Sequence, residues 1–356
     1  MTPCAFAIPG DHRQKTGGFI YERRLLEELQ AAGRQVRHIV LPAEAAHADQ
    51  SAAVRDEVVR TLAALPRDLL LILDGLVFAA MRPEALARLD CPVVAMLHHP
   101  VGLEEGLAPE LSRRLLAQEA ANLAHAAHVV VTSGHTRDTY ISLGADPARI
   151  TVALPGFDGP RDLVPDPPQA GAAPRILAVG LLARRKGHDV LIRALGQVAD
   201  LDWTARIVGK AYDAAVGEEL AALIAELGLG GRVELAGELV DDRLEGAYRS
   251  AQVFALATRY EGYGMALAEA LCHGLPIVTC KAGAVPDTVG DAALLAEPGD
   301  VAGFAAHLRK VLTSDATRLD LAERSRRLGR ALPRWPDTAA IMGAVLDALP
   351  APRGVG

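Results

Sequence analysis

Short apolar runs alternate with helical patterns along almost the whole chain, and this alternation limits the possible fold more than any other feature. In the first half, six runs are predicted as buried strands: Cys4–Ile8, Val36–Leu41, Leu69–Leu73, Val93–Leu97, His128–Thr132 and Ile150–Leu154. Helical patterns lie between them, among others at Gly18–Ala32, Pro109–Ala127 and His135–Leu143. Continuous apolar runs are typical of parallel strands covered on both faces. The sequence therefore predicts an α/β domain with helices on both faces of a parallel sheet.

A segment rich in Pro, Gly and Asp separates this half from a second one. Residues 158–174, DGPRDLVPDPPQAGAAP, show no periodicity and are typical of a linker. The alternation then returns, with strands predicted at Arg175–Val179, Ala205–Val208, Val233–Ala236, Val253–Ala257, Pro276–Thr279 and Ala293–Ala296. Helices are predicted at 187–199, 213–227, 241–250, 264–273 and 301–313. Two consecutive Rossmann-like domains are expected, and two such domains facing each other would form a ligand-binding cleft.

The last part of the chain is predicted to return to the first domain. Arg318–Leu349 is helical except for a break at Pro333-Arg334-Trp335-Pro336. A helix that follows such a break can cross back and tie the two domains together. We expect an N-terminal domain at 1–160, a C-terminal domain at 161–332, and a crossover helix and tail at 333–356.

Net charge and cysteine content indicate which partners and which cellular location to expect. The net charge of −7 opposes non-specific nucleic-acid binding, which needs clustered positive charge. No signal-peptide pattern precedes the first strand, and no apolar run reaches the roughly 18 residues of a membrane helix. The cysteines form no C-x-x-C pair, so reduced, buried thiols in a cytoplasmic protein are expected. Basic pairs such as Arg23-Arg24 are compatible with peripheral contact with anionic lipid. The sequence does not indicate an oligomeric state.

The most informative segment is Tyr260–Leu275, YEGYGMALAEALCHGL. It follows a predicted strand and opens a helix, and its glycines let backbone amides approach a ligand closely. A helix N-terminus favours phosphate through its unpaired N–H groups and its dipole. Glu261 and Glu269 flank these amides, and ionised carboxylates, which only accept hydrogen bonds, suit the hydroxyl pairs of sugars. The pattern fits a sugar–diphosphate–ribose ligand, although an acidic helix start stabilised by the dipole would have the same sequence.

Cations follow the first strand of the second half, in Gly180–His188, GLLARRKGH. Arg184, Arg185 and Lys186 come at the carboxyl end of that strand, and Gly187 opens the next helix. In this position the three cations can hold a diphosphate leaving group, whereas a solvated basic loop is the alternative.

Two further sites follow strands of the first half. Lys15-Thr16-Gly17-Gly18 precedes the first long helix, where a glycine pair permits a tight turn whose amides face an anion. His98-His99-Pro100 follows the fourth strand, so that either histidine can contact a transferring sugar.

Motifs of several other enzyme classes are missing from the sequence. There is no G-x-G-x-x-G fingerprint, no G-x-S-x-G elbow, no G-x-x-x-x-G-K-[ST] loop, and no H-x-x-x-H or H-E-x-x-H zinc spacing. Asp200-Leu201-Asp202 is a D-x-D, but it precedes a strand and so lies at the wrong end of the sheet; it is interpreted as an ordinary turn. Neither a cofactor nor an obligatory metal is expected.

Together these residues resemble the retaining GT-B glycosyltransferases of glycosyltransferase family 4, also called glycosyl transferases group 1, over nearly the whole chain. The E-x7-E signature from Glu261 to Glu269 carries most of the resemblance. Gly274–Asp287, GLPIVTCKAGAVPD, is similar to the family segment G-x-P-V-V-x-x-x-x-G-x-x-E. The Lys186-Gly187 step, the N-terminal glycine pair and the HTRDTY helix at His135–Tyr140 fit as well.

The resemblance implies a role for each of these positions. Glu261 would bind hydroxyls of the donor sugar, Glu269 the ribose diol, and Lys186 with an arginine the diphosphate. Amides of the glycine-rich segment would hold the sugar and distal phosphate, and a histidine would lie beside the reacting sugar. The implied donor-binding set is Gly17, Gly18, Arg184, Arg185, Lys186, Glu261, Gly262, Tyr263, Gly264, Met265 and Glu269. The implied catalytic set is His98, His99, Lys186 and Glu261.

Two positions depart from the family pattern. Leu181 occupies a position where the family usually has arginine, so Arg184 or Arg185 would have to replace that cation. Asp287 stands where the family has glutamate, which shortens the side chain and keeps its charge.

The sequence thus predicts a metal-independent, retaining hexosyltransferase that uses a nucleotide diphosphate sugar and an acceptor that is a small molecule, a lipid or a glycan. An inactive sugar-nucleotide-binding protein and a sugar-nucleotide epimerase on the same fold are the alternatives. A glycan phosphorylase would need a pyridoxal-binding lysine, which is not evident, and a nicotinamide oxidoreductase lacks its fingerprint.

Overall fold

The computed structural model describes residues 1–47, 49–104, 106–158, 173–211, 213–240 and 242–349. They form two compact units, one of residues 1–158 with 333–349 and one of residues 173–332. Most of the segment interpreted as a linker, and with it the boundary expected at 160, lies outside the described residues, as does the tail from residue 350.

The first unit is built on a parallel sheet of six strands in the order β2-β1-β3-β4-β5-β6. The strands are β1 (Cys4–Pro9), β2 (Val36–Leu41), β3 (Leu70–Asp74), β4 (Val93–Leu97), β5 (His128–Val131) and β6 (Ile150–Val152). The helices between them are α1 (Gly17–Ala31), α2 (Ala52–Ala63), α3 (Gly75–Ala80), α4 (Pro83–Leu86), α5 (Pro109–Asn122) and α6 (Gly134–Ser142). The strand order reverses between β1 and β3, which brings the loops after these two strands together.

The second unit repeats this plan with a six-stranded parallel sheet in the order β12-β11-β10-β7-β8-β9. Its strands are β7 (Arg175–Val179), β8 (Thr204–Val208), β9 (Val233–Leu235), β10 (Val253–Leu256), β11 (Ile277–Cys280) and β12 (Ala293–Ala296). Its helices are α7 (His188–Gly196), α8 (Ala214–Glu226), α9 (Asp242–Arg249), α10 (Met265–Cys272), α11 (Val285–Val289), α12 (Val301–Thr313) and α13 (Asp315–Ala331). The reversal lies between β7 and β10, so the two loops singled out in the sequence, after β7 and after β10, are neighbours.

Each of the two cores consists of aliphatic side chains from both faces of its sheet. In the first unit Leu71 and Leu73 are fully buried, and in the second Phe254 and Leu256 are. The four cysteines are free and buried, as expected. The two parallel sheets with helices between their strands confirm the predicted α/β class, and the continuous apolar runs are the strands buried in the two cores.

The last helix, α14 (Trp335–Ala348), belongs to the first unit and packs against α1. The buried Arg34 guanidinium donates to both carboxylate oxygens of Asp347, at 3.0 and 2.9 Å, and to the Gly343 carbonyl. The Trp335 ring meets the Tyr21 ring edge-on, with centroids 5.6 Å apart. The predicted return of the chain is therefore confirmed.

Several element boundaries differ from the expectations. The helix predicted at Pro109–Ala127 ends at Asn122 and continues only as a 3-10 turn. The helix predicted from Arg318 begins at Asp315, because the Ser314 hydroxyl accepts from the Thr317 amide and caps it. Five-residue α11 was not predicted, since it is too short for helical periodicity to show. No helix among the described residues is long and apolar enough to cross a membrane.

Candidate functional site

The centre of the candidate site in the second unit is an ion pair between Lys186 and Glu261. Lys186 ends the turn after β7, and Glu261 precedes α10, so the two neighbouring loops bring them together. Nζ of Lys186 lies 2.6 Å from Oε1 of Glu261, and the Thr258 hydroxyl lies 3.0 Å from the same oxygen. Glu261 is buried, and the Lys186 side chain is only 12% exposed.

The charges around this pair keep the carboxylate ionised. Burial by itself would raise the pKa of Glu261, but the Lys186 ammonium and the Arg185 guanidinium lower it below its ordinary value. Burial and the Arg185 charge lower the pKa of Lys186, and Glu261 opposes that shift. The result is a fixed carboxylate acceptor beside two cations.

The structure distinguishes Arg184 from Arg185, the two candidates for the arginine that accompanies Lys186. Arg185 Nη1 lies 3.9 Å from Glu261 Oε2. Arg184 is exposed and pairs with Glu219 at 2.8 Å, away from Glu261. Arg185 is therefore the arginine that accompanies Lys186, and Arg184 does not join the cluster.

Two glycines allow the site loops to approach other backbone segments closely. Gly187 has a φ of +63°, and a Cβ there would lie 1.9 Å from the Ala257 carbonyl oxygen. Gly283 has a φ of +57°, and a Cβ there would lie 2.3 Å from the Glu261 carbonyl oxygen. The first contact ties the loop after β7 to the end of β10, and the second fixes Glu261.

The start of α10 presents backbone amides beside Glu261. Gly264, with a φ of +95°, is its N-cap, and its carbonyl accepts from the amides of Leu267 and Ala268. The amides of Met265 and Ala266 precede the first bonds that the helix can make. The Tyr263 side chain is buried, and the Tyr263 carbonyl accepts from the Thr288 hydroxyl. Gly262 lies in the same loop.

Glu269, which lies within α10, belongs to a separate hydrogen-bond network. The Tyr248 hydroxyl donates to its Oε2 at 2.7 Å. His273 stacks on Tyr248, with centroids 4.7 Å apart, and its Nε2 lies 2.9 Å from Glu245. Burial raises the pKa of Glu269, partly offset by the Tyr248 hydrogen bond. The carboxylate is thus held in one orientation by a phenol.

In the first unit the predicted glycine pair opens α1 instead of forming a separate turn. Gly17 is the first residue of α1, and neither Gly17 nor Gly18 has a left-handed φ. The expectation of a tight turn was wrong, because the N-cap is Thr16 and both glycines already have helical geometry. The absence of a side chain matters at Gly18, where a Cβ would lie 3.4 Å from Cδ2 of His98.

The two histidines have different surroundings. His98 lies against Gly18, Tyr21 and Glu22, whereas His99 Nε2 lies 3.1 Å from Glu104. The loop that carries both is anchored by buried Glu119. This carboxylate accepts from the amides of Val101 and Gly102 and from the Tyr140 hydroxyl.

The remaining sequence positions have plain surroundings. The Leu181 carbonyl lies 3.1 Å from His188 Nε2, and Asp287 is exposed on α11. Asp200 pairs with Arg309 in an exposed turn, in agreement with the interpretation of Asp200-Leu201-Asp202 as an ordinary turn. Across the described ranges there is no group of three His, Cys, Asp or Glu side chains that could hold a metal ion.

Sequence reasoning missed several side chains that shape the site. Thr258 and Tyr248 bind the two signature glutamates, and Arg259 pairs bidentately with Asp189 beside the turn that carries Lys186. Thr258 could have been found from its place directly after the predicted strand Val253–Ala257. Tyr248 had no such signal, because it is 21 residues from Glu269.

Two family models match successive parts of the chain. Residues 16–159 match Glycosyltransferase Family 4, and residues 173–314 match Glycosyl transferases group 1. A D-inositol 3-phosphate glycosyltransferase of Xylanimonas cellulosilytica is 30% identical over 72% of this chain and 66% of its own length. An MMP alpha-(1->4)-mannosyltransferase of Mycolicibacterium hassiacum is 27% identical over 74% and 66%. The matches thus span slightly less than two thirds of these relatives.

Solved structures share the fold over nearly the full chain. Sucrose-phosphate synthase from Thermosynechococcus elongatus has a TM-score of 0.81 at 22% identity, covering 98% of this chain and 99% of its own. Anabaena HepE, solved in complex with UDP and glucose, has a TM-score of 0.74 at 19% identity, covering 98% and 100%. Both support a GT-B architecture, and because the two family models between them account for most of the chain, the chain belongs to glycosyltransferase family 4.

Proposed function

We propose that this protein is a retaining glycosyltransferase that transfers a hexose from a nucleotide diphosphate sugar to a hydroxyl group of a small molecule, lipid or glycan, without an obligatory metal. The observation that carries the proposal is the cluster of Lys186, Arg185 and Glu261 at the start of α10. It joins two cations, a fixed carboxylate and backbone amides within two neighbouring loops.

This cluster suits a leaving diphosphate next to a sugar. The Lys186 ammonium has three N–H donors, one of which Glu261 occupies, so two can bind phosphate oxygens. Arg185 and the amides of Met265 and Ala266 add further positive charge or donors. Glu261 accepts from sugar hydroxyls, and Glu269, held by Tyr248, accepts from the ribose diol.

The chemistry follows from where charge develops. As the glycosidic bond to the diphosphate breaks, negative charge grows on the leaving oxygen and positive charge on the sugar ring. Stabilising the leaving group lowers the barrier most, and Lys186 and Arg185 supply that stabilisation as a divalent metal would. The leaving phosphate oxygen takes the acceptor's proton on the same face of the sugar, which gives retention without a protein nucleophile.

In the first unit we assign His98 and the start of α1 to the reaction. His98 lies beside Gly18, whereas His99 is engaged with Glu104. We therefore assign to His98 the contact with the transferring sugar and to the amides of Gly17 and Gly18 a contact with the diphosphate. The HepE structure, which contains UDP and glucose, makes UDP-glucose the first donor to try.

A donor screen followed by product analysis tests the proposal. Bound donor stabilises the folded protein, so a nucleotide sugar that is a substrate raises the melting temperature. With that donor, turnover should continue in the presence of EDTA. NMR of the product should show that the transferred sugar keeps the anomeric configuration that it had in the donor. An inverted product would overturn retention, and loss of turnover in EDTA that added Mg²⁺ restores would overturn metal independence. A donor that binds and is never transferred or hydrolysed would leave the inactive-binder alternative standing instead.

A further inference from the structure

Three titratable side chains meet in the first unit, where the strand order reverses. Glu22 comes from α1, Asp74 ends β3, and His98 follows β4. Glu22 is 1% exposed and Asp74 3%. Two buried carboxyl groups beside a histidine are unusual, because burying a carboxylate without a cation is costly.

The two carboxyl groups satisfy each other only if they share a proton. The carboxyl groups of Glu22 and Asp74 are placed so that a protonated one can donate to the other, and this interaction lowers the pKa of Glu22 and raises that of Asp74. Asp74 Oδ1 also accepts from the Val77 amide at 2.8 Å. Apart from Asp74, no donor in the described part of the chain reaches either Glu22 oxygen. Two carboxylates cannot bond to one another, so one of them keeps its proton.

The electrostatics agree with this reading. Burial raises the pKa of Glu22 to about 8. Burial, followed by the nearby charge of Glu22, raises the pKa of Asp74 well above its ordinary value. The pair therefore holds at least one proton at neutral pH.

The His98 ring is fixed with one nitrogen towards this pair. Its Nε2 is buried and lies 3.6 Å from Glu22 Oε1. Tyr21 meets the ring edge-on, with centroids 5.3 Å apart, and Gly18 leaves room for the ring on another side. The side chain is 20% exposed, so a part of the ring other than Nε2 faces outwards.

We propose that Glu22 and Asp74 are positioning residues that share a proton and hold the His98 imidazole as the Nε2–H tautomer, with Nε2 towards Glu22 and Nδ1 free to accept a hydrogen bond. Only the use of Nδ1 in the reaction rests on the proposed function. The tautomer and the proton sharing are properties of the protein without its substrates.

The titratable groups that face the His98 ring in the described structure come from two elements. They are Tyr21 and Glu22 on α1 and Asp74 at the end of β3. Tyr21 does not titrate near neutral pH, because burial raises the pKa of its phenol and its hydroxyl donates to the Ala153 carbonyl. The carboxyl pair is thus what sets the charge next to His98.

The tautomer is measured by ¹⁵N NMR of the histidine side chains in the full-length protein, with His98→Gln identifying the signal. A protonated Nε2 and an unprotonated Nδ1 are expected near neutral pH. A His98 signal with the proton on Nδ1 would overturn the proposal, and this measurement requires neither a variant of the pair nor an active enzyme.

Two variants then test the shared proton. In Asp74→Asn the charge that Asp74 contributes beside the ring is lost, so the pKa of His98 falls. In Glu22→Gln/Asp74→Asn no carboxyl group remains beside the ring, so the pKa of His98 falls at least as far. Asparagine retains the cap of α3, and glutamine retains the size of Glu22.

A lower pKa of His98 in both variants supports the proposal. An unchanged or raised pKa in either variant contradicts it, because a merely structural role would leave the charge beside the ring without effect on His98. The kcat/KM should fall at low pH. If the pH of this fall shifts in each variant by the same amount as the pKa of His98, His98 acts in its neutral form. If the NMR shifts occur and the pH profile of kcat/KM does not move, the carboxyl pair is confirmed and the catalytic role of His98 fails.

Discussion

Nζ of Lys186 lies 2.6 Å from Oε1 of Glu261, inside a cluster in which Glu261 is buried. This ion pair compensates the charge of buried Glu261, and it also fixes the lysine that we assign to the diphosphate. Stability and catalysis can therefore be separated by changing both partners of the pair.

Lys186→Met removes the ammonium and leaves Glu261 buried without its nearest cation. The free energy of unfolding should fall by about 3 kcal/mol, because an unpaired buried charge is costly. Lys186→Met/Glu261→Gln should recover most of that loss, measured by chemical denaturation. Donor turnover should stay about 100-fold or more below that of the natural protein in both variants, since neither supplies the cation for the leaving group. Turnover that recovers together with stability would remove Lys186 from the mechanism.

Arg185→Ala and Arg184→Ala form a matched pair of neighbouring changes. Arg185 lies 3.9 Å from Glu261, whereas Arg184 is bound to exposed Glu219. Arg185→Ala should lower kcat/KM for the donor by about tenfold or more, the usual effect of losing one charged contact. Arg184→Ala should stay within about twofold, because exposed ion pairs contribute little. The reverse order would mean that Arg184 replaces the cation missing at Leu181.

Tyr248→Phe removes one hydroxyl, which donates to Glu269 at 2.7 Å. A lost hydrogen bond to a charged group corresponds to about 1.5–3 kcal/mol, so the Kd for the nucleoside diphosphate should rise by about tenfold or more. The kcat at saturating donor should change little, since Glu269 is assigned to the ribose. Calorimetric titration with UDP measures the effect, with Glu269→Ala as the reference for complete loss. An unchanged Kd in both variants would refute the ribose assignment.

Gly187→Ala tests the close approach between the loop after β7 and the end of β10. The φ of +63° costs about 1–2 kcal/mol for a residue with a Cβ, and the contact at 1.9 Å from the Ala257 oxygen adds to it. Gly228→Ala is the control, because Gly228 has a similar φ of +69° with nothing within 4 Å of the added atom. The melting temperature should fall clearly more for Gly187→Ala. Equal losses would mean that the loop shifts without cost.

His188 makes the stability of the second unit depend on pH. Burial lowers its pKa from the ordinary 6.5 to about 4. Between these values the unfolded chain takes up a proton that the folded protein does not, so the free energy of unfolding falls with falling pH by up to about 3 kcal/mol. His188→Gln should lose this part of the dependence when denaturation is compared at about pH 7 and pH 4.5. Parallel curves for the two proteins would show that another group dominates.

The sheets could be predicted from the sequence because strands buried on both faces are continuous apolar runs. Val93–Leu97 and Arg175–Val179 match the structure residue for residue. The contact between the loops after β7 and β10 also follows, since parallel strands end at one edge.

Side-chain directions within the loops could not be predicted. Arg184 and Arg185 are adjacent in one 3-10 turn and point to different partners, which no pattern in the sequence distinguishes. Glu22 did leave a signal, because it shares the apolar stripe of α1 with Leu25 and Leu29. A carboxylate in that stripe indicates a buried polar contact, although its partner Asp74 is 52 positions away.

Arg34 and Asp347 join two segments of the first unit that are separated in the sequence by the whole second unit, and this sets the order in which the two units can be completed during translation. The segment 173–332 is continuous, so it can collapse as soon as it leaves the ribosome. The unit that carries His98 lacks its closing helix until Trp335–Ala348 emerges. A protein truncated after residue 332 should therefore have a protease-resistant second unit beside a first unit that is still open to cleavage.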